Sequence, residues 1–477
     1  MTNMDNSKEN CQIGMIGLGV MGRNLLLNMA SHGFHVAGYD LDKSKVQSLK
    51  NDSSEIAATD NIQDFINSLS RPRNIMLLVP AGKPVDAVIA ELLPLLQPGD
   101  LIIDGGNSHF TDTNRREENL KKNNIFFMGV GISGGEAGAR SGPSIMPGGP
   151  LEAYRRIEKI FQAVAAVVDH QPCVTYIGPG SAGHYVKMVH NGIEYAMMQL
   201  IAESYHLLKS MYGMNDHELH DVYREWNDSE LSGYLMNITC DIFTAKDAET
   251  RHDLVDMIKP IAEQKGTGMW TSESAMTLQV PTSIINTAVE MRDLSLLTNE
   301  IQQAARLYPA TKSSITIPKN EFIATLKNAM YCSIFMSYAQ GMALLYVASQ
   351  AYSYDLHLQN IAEIWRGGCI IRSAMLDDIS QAYEKNSQLS NLLLDAGIAT
   401  QLKNRMVDLR QLIASTCLSN IPTPALMASL SYFDAYRDNA SPANLIQAQR
   451  DYFGSHEYER IDKAGKFHTE WEKVIIK

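Results

Sequence analysis

Over the first 130 residues, apolar positions come in short, near-continuous runs, QIGMIGLG, HVAGYD, NIMLLVP, LIIDGG and IFFMGV, separated by segments of helical period. Runs of that length without polar alternation are expected of strands covered on both faces, and their interleaving with helices predicts a parallel sheet. A turn-rich stretch follows, SGGEAGARSGPSIMPGG (133–149), then one more αβ unit ending at VTYIGPG near residue 180. From 181 to 438 the pattern changes to long helical periods with few strand candidates, which predicts an all-helical domain. After the Ser-Pro break at 441–442 the chain lacks a clear helical stripe and reads as an extended tail. The expected fold class is α/β plus all-α: a Rossmann-type doubly wound parallel sheet over 1–180, a large all-helical domain over 181–438, and a C-terminal tail over 439–477.

Two features of the helical region refine this. Asn328 to Tyr354 carries no formal charge and is long enough to span a bilayer. Ser333, Ser337, Gln340, Gly341, Ser349 and Gln350 interrupt it, and no Lys or Arg cluster flanks it, so a helix buried inside the domain is expected, with no membrane partner. There is also a faint repeat. NGIEYAMMQLIAESYHLL starts at Asn191 and NAMYCSIFMSYAQGMALL at Asn328, with Trp226 and Trp365 following at similar distances. The second copy has Ala324 and Tyr331 where the first has Lys187 and Glu194.

At 477 residues the chain is long enough for two or three domains. A formal net charge of -12, with basic residues scattered, argues against nucleic acid as the partner but leaves room for a small anion held by a local cluster. The six cysteines lie far apart without a CxxC pair, which predicts reduced thiols and a cytoplasmic protein. The polar N-terminal stretch MTNMDNSKEN has no signal-peptide core.

The first candidate chemistry lies in IGLGVMG, where Gly17, Gly19 and Gly22 follow a predicted strand and open a helical run from Val20 to Ser31. In that context G-x-G-x-x-G permits a tight turn and close backbone approach to a pyrophosphate seated on the helix N-terminus. Leu18, Val20 and Met21 complete the loop, and Asp40 closes the second strand, placed for a ribose hydroxyl. A dinucleotide site is expected.

The second lies in HYVKMVHNGIEYAMMQ (184–199), an apolar helical segment that nonetheless holds Lys187, Asn191 and Glu194. At 100° per residue, Asn191 lies about 40° to one side of Lys187 and Glu194 about 20° to the other, so the three project from one face. Burial lowers the pKa of a lysine and raises that of a carboxyl group, which suits the first to a general base and the second to an acid.

These motifs, with DGGNS (104–108), SGGEAGARSGPSIMPGG (133–149), GHYVKMVHNGIEY (183–195), QKGTGMW (264–270), IWRGGCIIRS (364–373) and ANLIQAQRDYFGSHEYER (443–460), resemble the decarboxylating 6-phosphogluconate dehydrogenase family over essentially the whole chain. The resemblance implies oxidation of 6-phosphogluconate at C3, loss of the carboxyl group as carbon dioxide and release of ribulose 5-phosphate, a pentose phosphate pathway reaction using NAD or NADP. It implies a homodimer in which each tail reaches into the partner's site. By the same carry-over Lys187 is the base at the 3-hydroxyl and Glu194 the acid at C1. Val79, Pro80, Ala81 and Asn107 join the coenzyme site. Ser133, Gly134 and Gly135 hold the substrate carboxylate, and Asn107, His190 and Asn191 stand near its hydroxyls. Tyr195, Lys265, Thr267 and Arg292, with Arg450 and His456 of the partner's tail, form the phosphate pocket. No clustered carboxylate motif suggests a metal, and the lysine can supply the positive charge.

Five positions depart from the family pattern. Asp40, Leu41 and Asp42 stand where an asparagine, an arginine and a serine or threonine are expected, which favours NAD over NADP. Lys43 and Lys45 are expected to be carried outward by the next helix. Pro80 and Met269 each replace a lysine. The competing readings are another β-hydroxyacid dehydrogenase, such as one acting on 3-hydroxyisobutyrate, and a non-catalytic dinucleotide sensor.

Overall fold

The computed structural model describes residues 10–309 and 317–474, so most of the polar N-terminal stretch and the last residues of the tail lie outside it. The five predicted strands are present as β1 (Ile13–Ile16), β2 (Val36–Tyr39), β4 (Asn74–Leu77), β5 (Leu101–Asp104) and β6 (Phe126–Ser133), joined by β3 (Ala57–Thr59) and β7 (Ser144–Gly148). The sheet order is β3-β2-β1-β4-β5-β6-β7, parallel up to β6, with β7 antiparallel on the far edge. Their continuous apolar runs have a direct cause. Ile13, Met15 and Met76 enter a core on one face, whereas Ile16, Ile75 and Leu77 enter a core on the other.

The connecting helices are α1 (Val20–Ser31), α2 (Lys43–Asp52), α3 (Ile62–Asn67), α4 (Lys83–Leu92), α5 (Phe110–Lys121), α6 (Gly135–Ser141) and α7 (Leu151–Val164); β8 (Val167–Val168) and β9 (Gln171–Pro172) form a small hairpin after them. The order reverses between β1 and β4, and in such sheets ligands bind beyond the carboxyl ends of the strands at that switch. The loops after β1, β2, β4, β5 and β6 are those in which the sequence places its site residues.

The helical part opens with α8 (Ala182–Tyr212), 31 residues ending at Gly213 in the left-handed conformation (φ 61°). It continues through α9 (Asp216–Asn227), α10 (Tyr234–Thr244), α11 (Leu254–Met257), α12 (Thr267–Thr277), α13 (Ser283–Ser295) and α14 (Thr298–Leu307). The second long helix, α15 (Lys319–Ala351), is followed by α16 (Leu358–Ile364), α17 (Met375–Lys385), α18 (Ala396–Leu418) and α19 (Pro424–Arg437). The uncharged stretch from Asn328 is therefore a core helix: 83% of the most apolar window of α15 is buried, packed on α8 and α18.

Helix α8 meets the sheet through glycines. A Cβ on Gly131 of β6 would lie 2.4 Å from the Lys187 Cβ, one on Gly129 2.8 Å from the His184 ring, one on Gly148 of β7 2.2 Å from the Gly183 nitrogen, and one on Gly183 2.2 Å from the Met146 carbonyl. Backbone lies against backbone, so the sheet and α8 belong to one compact unit that runs to Ser429; a second begins at Leu430.

The second unit carries more regular structure than a tail without a stripe implies. It holds α20 (Ala443–Gly454), an antiparallel pair β10 (Tyr458–Glu459) and β11 (Lys466–Phe467), and α21 (Trp471–Val474). Buried Asp451 organises it, accepting hydrogen bonds from Glu457 N, Thr469 N, the His468 ring and Trp471 Nε1. The apolar residues of α20 do recur, as Leu445 and Ile446 with Tyr452 and Phe453 seven residues on, and all four are exposed.

Candidate active site

The glycine-rich loop fits a dinucleotide. Gly17 has φ 96°, and a Cβ there would lie 2.5 Å from the Leu78 carbonyl; a Cβ on Gly22 would lie 1.9 Å from the Gly17 carbonyl, whereas Gly19 faces open space. Gly19 is the N-cap of α1 and offers no side chain to its first amides, which leaves them for an anion.

Asp40 follows β2 directly and accepts from Leu18 N (2.8 Å) and Asp42 N (2.9 Å), so its carboxylate is fixed at the lip of this loop. Asp42 is the N-cap of α2, accepting from Ser44 Oγ at 2.6 Å and Ser44 N at 2.9 Å, and those bonds hold its pKa below the usual carboxylate value. Leu41 is 78% exposed. Lys43 does point away, towards Asp60, but Lys45 does not: its Nζ lies 3.4 Å from the Asp40 carboxylate.

A cavity of about 970 Å³ opens at the loops that follow β4 and β5. Pro80, Ala81, Gly82, Gly106, Asn107, His109 and Asp112 line one wall; Asn191, Glu194, Tyr195, Met198, Glu263, Gln264, Lys265, Thr267, Trp270 and Arg292 line the other. Asn107 sits in the left-handed region (φ 55°) and is anchored there, its side-chain amide accepting from Ile132 N (3.1 Å) and donating to Ile132 O (3.3 Å). The next residue of β6 is Ser133. Gly134 (φ 125°) and Gly135 (φ 61°) then turn the chain into α6.

Helix α8 presents Asn191 and Glu194 to this cavity, with Lys187 buried behind its wall. Lys187 is 5% exposed, and its Nζ donates to Asn191 Oδ1 at 2.6 Å and lies 3.2 Å from His190 Nδ1. Asn191 in turn donates to Thr267 Oγ1 (3.1 Å), and the His190 ring reaches Ser133 Oγ (3.2 Å) and stands 3.8 Å from Glu194. Burial pushes the Lys187 pKa down, against the opposing pull of Glu194. The same burial pushes the Glu194 carboxyl up and, with the nearby lysine, holds His190 well below its usual value. His190 is therefore neutral. Nδ1 lies 3.0 Å from Asn191 Oδ1 and 3.2 Å from Lys187 Nζ; when Lys187 is an ammonium, Nδ1 accepts from it in preference to donating to the amide oxygen, which puts the ring proton on Nε2 and makes Ser133 Oγ its acceptor. Ser133 Oγ also accepts from Ile370 N (3.4 Å), so its own hydrogen is left for an incoming acceptor.

A cationic patch lies one turn further along. The Arg292 guanidinium stacks 3.5 Å from the centroid of the Tyr195 ring, and Gly268 packs closely against the same ring, where a Cβ would lie 2.3 Å from it. Lys265 and Thr267 complete the patch. Arg450 and His456 lie on the second unit, both exposed. Of the two substituted positions, Pro80 lines the cavity, whereas Met269 is 40% exposed and absent from its walls. His109 and Trp270, in edge contact at 4.9 Å, are cavity residues the sequence reading did not single out, although Trp270 closes the QKGTGMW motif and His109 follows DGGNS.

Residues 12–178 match the family model for the NAD binding domain of 6-phosphogluconate dehydrogenase, and 183–471 match its C-terminal domain. The decarboxylating, NADP(+)-dependent 6-phosphogluconate dehydrogenase of Bacillus subtilis is 49% identical over 97% of this chain and 99% of its own length. The decarboxylating enzyme of Synechococcus elongatus is 50% identical over 96% and 99%. Among solved structures, Plasmodium falciparum 6-phosphogluconate dehydrogenase, studied apo, with NADP+ and with 6-phosphogluconate, superposes with a TM-score of 0.93 at 42% identity, covering 97% of this chain and all of that one.

Proposed function

This chain belongs to the 6-phosphogluconate dehydrogenase family, and on that premise we propose that it oxidises and decarboxylates 6-phosphogluconate to ribulose 5-phosphate and carbon dioxide, reducing NAD(P). The observation that carries the reading is the single face of α8 on which a buried lysine and a carboxyl group, each shifted towards its neutral form, flank Asn191 at the cavity. Carbon dioxide release coupled to coenzyme reduction tests it.

The Gly17–Gly22 loop and the first amides of α1 hold the pyrophosphate, and the bound coenzyme supplies the hydride acceptor. Neutral Lys187 takes the proton from the C3 hydroxyl. As an ammonium beside the new carbonyl, it then supports the enolate left by carbon dioxide. Lys187 protonates the enolate oxygen to give the enediol; Glu194, held protonated by burial, then gives its proton to C1 while Lys187 takes the hydroxyl proton back as the C2 carbonyl forms. Ser133 donates to the substrate carboxylate with the backbone of Gly134 and Gly135, while Asn107, His190 and Asn191 meet the hydroxyls. Tyr195, Lys265, Thr267 and Arg292 take the phosphate.

Arg450 and His456 complete that phosphate pocket from the tail of a second copy. Two features support a homodimer: the exposed stripe on α20, and exposed Met257, Ile258, Leu296, Leu297 and Leu307 along the 254–308 segment. Truncation after Ala440 should weaken the dimer and raise the KM for 6-phosphogluconate, with coenzyme binding unchanged. A truncated dimer with wild-type KM would remove the tail from the site. A cytoplasmic location accompanies this reading.

The coenzyme is NAD in preference to NADP. Asp40 can accept from ribose hydroxyls, Leu41 brings no guanidinium, and Asp42 adds a second negative charge. Lys45 offsets part of this by pairing with Asp40. The net excess of one negative charge near the ribose corresponds to a preference on the order of tenfold in kcat/KM. Replacing Asp40, Leu41 and Asp42 by Asn, Arg and Ser should reverse it; a wild-type protein faster with NADP, as the name of the Bacillus subtilis relative would suggest, overturns the argument.

A further inference from the structure

Beneath the residues assigned so far, one buried cation ties two loops of the site together. Arg116 of α5 is 2% exposed and spreads its donors over acceptors on opposite sides. Nε donates to Asp86 of α4 (2.8 Å) and Nη2 to the Gly82 carbonyl (2.9 Å), both on the segment that follows β4. Nη1 donates to Ser108 Oγ (3.0 Å) on the loop that follows β5 and to Asp104 Oδ2 (3.3 Å) at the end of that strand. Fully buried Asp104 accepts in addition from Gly106 N (3.0 Å) and the Ser108 hydroxyl (2.7 Å), which fixes the turn carrying Asn107.

The same aspartate is tied to the proton-transfer helix. His184, one turn before Lys187 on α8, lies with Nε2 2.9 Å from the Asp104 carbonyl and Nδ1 2.7 Å from Thr113 Oγ1. Burial keeps this histidine neutral. Since a carbonyl only accepts, Nε2 carries the hydrogen and Nδ1 takes the Thr113 hydroxyl. An unbroken chain of hydrogen bonds thus runs from the helix of Lys187 through Asp104 and Arg116 to Gly82. Four of the five guanidinium hydrogens are placed on acceptors, and Asp112 stands 3.9 Å from Nη2; the planar fork of arginine is required here, because an ammonium presents its three donors from a single point.

We propose that Arg116 is a positioning residue that, through Asp104 and His184, sets the placement of the coenzyme loop Pro80–Gly82 relative to Lys187, so that the hydride leaves C3 and the proton leaves its hydroxyl oxygen in a single geometry. This rests on the roles given above to Lys187 and that loop. A misplacement of about 1 Å at such a site costs up to about 10²-fold in rate.

The test is Arg116→Lys, with Ser108→Ala as a milder variant should the first fail to fold. In Arg116→Lys, kcat should fall by about tenfold or more and the coenzyme KM should rise. Ser108→Ala should shift both in the same direction by less. In Arg116→Lys, calorimetric binding of 6-phosphogluconate to the coenzyme-free protein should stay within about twofold of wild type, because Gly106 N and the Ser108 hydroxyl still hold Asp104 and the turn that carries Asn107. Wild-type kcat and coenzyme KM in either folded variant would overturn the proposal, as would a parallel loss of substrate binding, the mark of general loosening. Should the wild-type protein release no carbon dioxide from 6-phosphogluconate, the functional reading fails by itself. Titration with NAD+ and NADP+ then decides the clamp: weaker binding to Arg116→Lys upholds it and unchanged binding overturns it.

Discussion

Lys187→Ala should lower turnover of 6-phosphogluconate by at least the ~10²- to 10⁴-fold expected on losing a general base, with substrate binding less affected. The side chain lies under the cavity, held by Asn191 and His190, and burial weakens its hold on a proton. A base must be neutral, so activity is lost as pH falls below the amine's pKa; the acid must be protonated, so activity is lost as pH rises above that of Glu194. Burial moves the two values towards each other and enlarges the fraction of molecules in which both groups are ready. The pH profile of kcat/KM should therefore be bell-shaped, and Lys187→Ala should lose the dependence that the amine imposes. A variant with near-normal turnover, folded by circular dichroism, would remove Lys187 from the chemistry.

Glu194→Gln is expected to cost a similar ~10²- to 10⁴-fold, at a different step. The amide keeps the volume and a hydrogen bond but has no proton to give. Carbon dioxide should leave, while protonation of the enediol at C1 slows and loses its facial selectivity. Reaction in deuterium oxide reads this directly. Unchanged rate and stereochemistry of deuterium incorporation at C1 of ribulose 5-phosphate would assign the proton to another group.

Much of this site can be read from periodicity, because the relevant side chains share one helix and a helix has a fixed pitch. The αβ alternation and the glycine loop are legible for the same reason: strands buried on both faces leave apolar runs, and a tight turn leaves glycines. What stays hidden depends on contacts between distant segments. Strand β7 lies within a stretch so rich in glycine and proline that it reads as turns, and it is a strand because β6 pairs with it. The three-residue β3 is partly exposed and offers too little pattern. The bond between Lys45 and Asp40 is a rotamer choice, which no spacing encodes. Arg116 carries no signal either. In the sequence it is one of two adjacent arginines on a polar helix, and only the fold shows that Arg115 faces solvent while Arg116 faces Asp104.

The glycine seating of α8 bears on how tolerance to mutation in this chain is to be interpreted. Gly129, Gly131, Gly148 and Gly183 touch no reactant and supply no functional group, yet each marks a place where one added carbon would collide with the helix or with the strands beneath it. At Gly131 that carbon would strike the stem of Lys187 itself. A map of replaceability would consequently trace the footprint of the helix on the sheet before it traced the reacting groups. The least replaceable positions would include four whose contribution is the absence of a side chain.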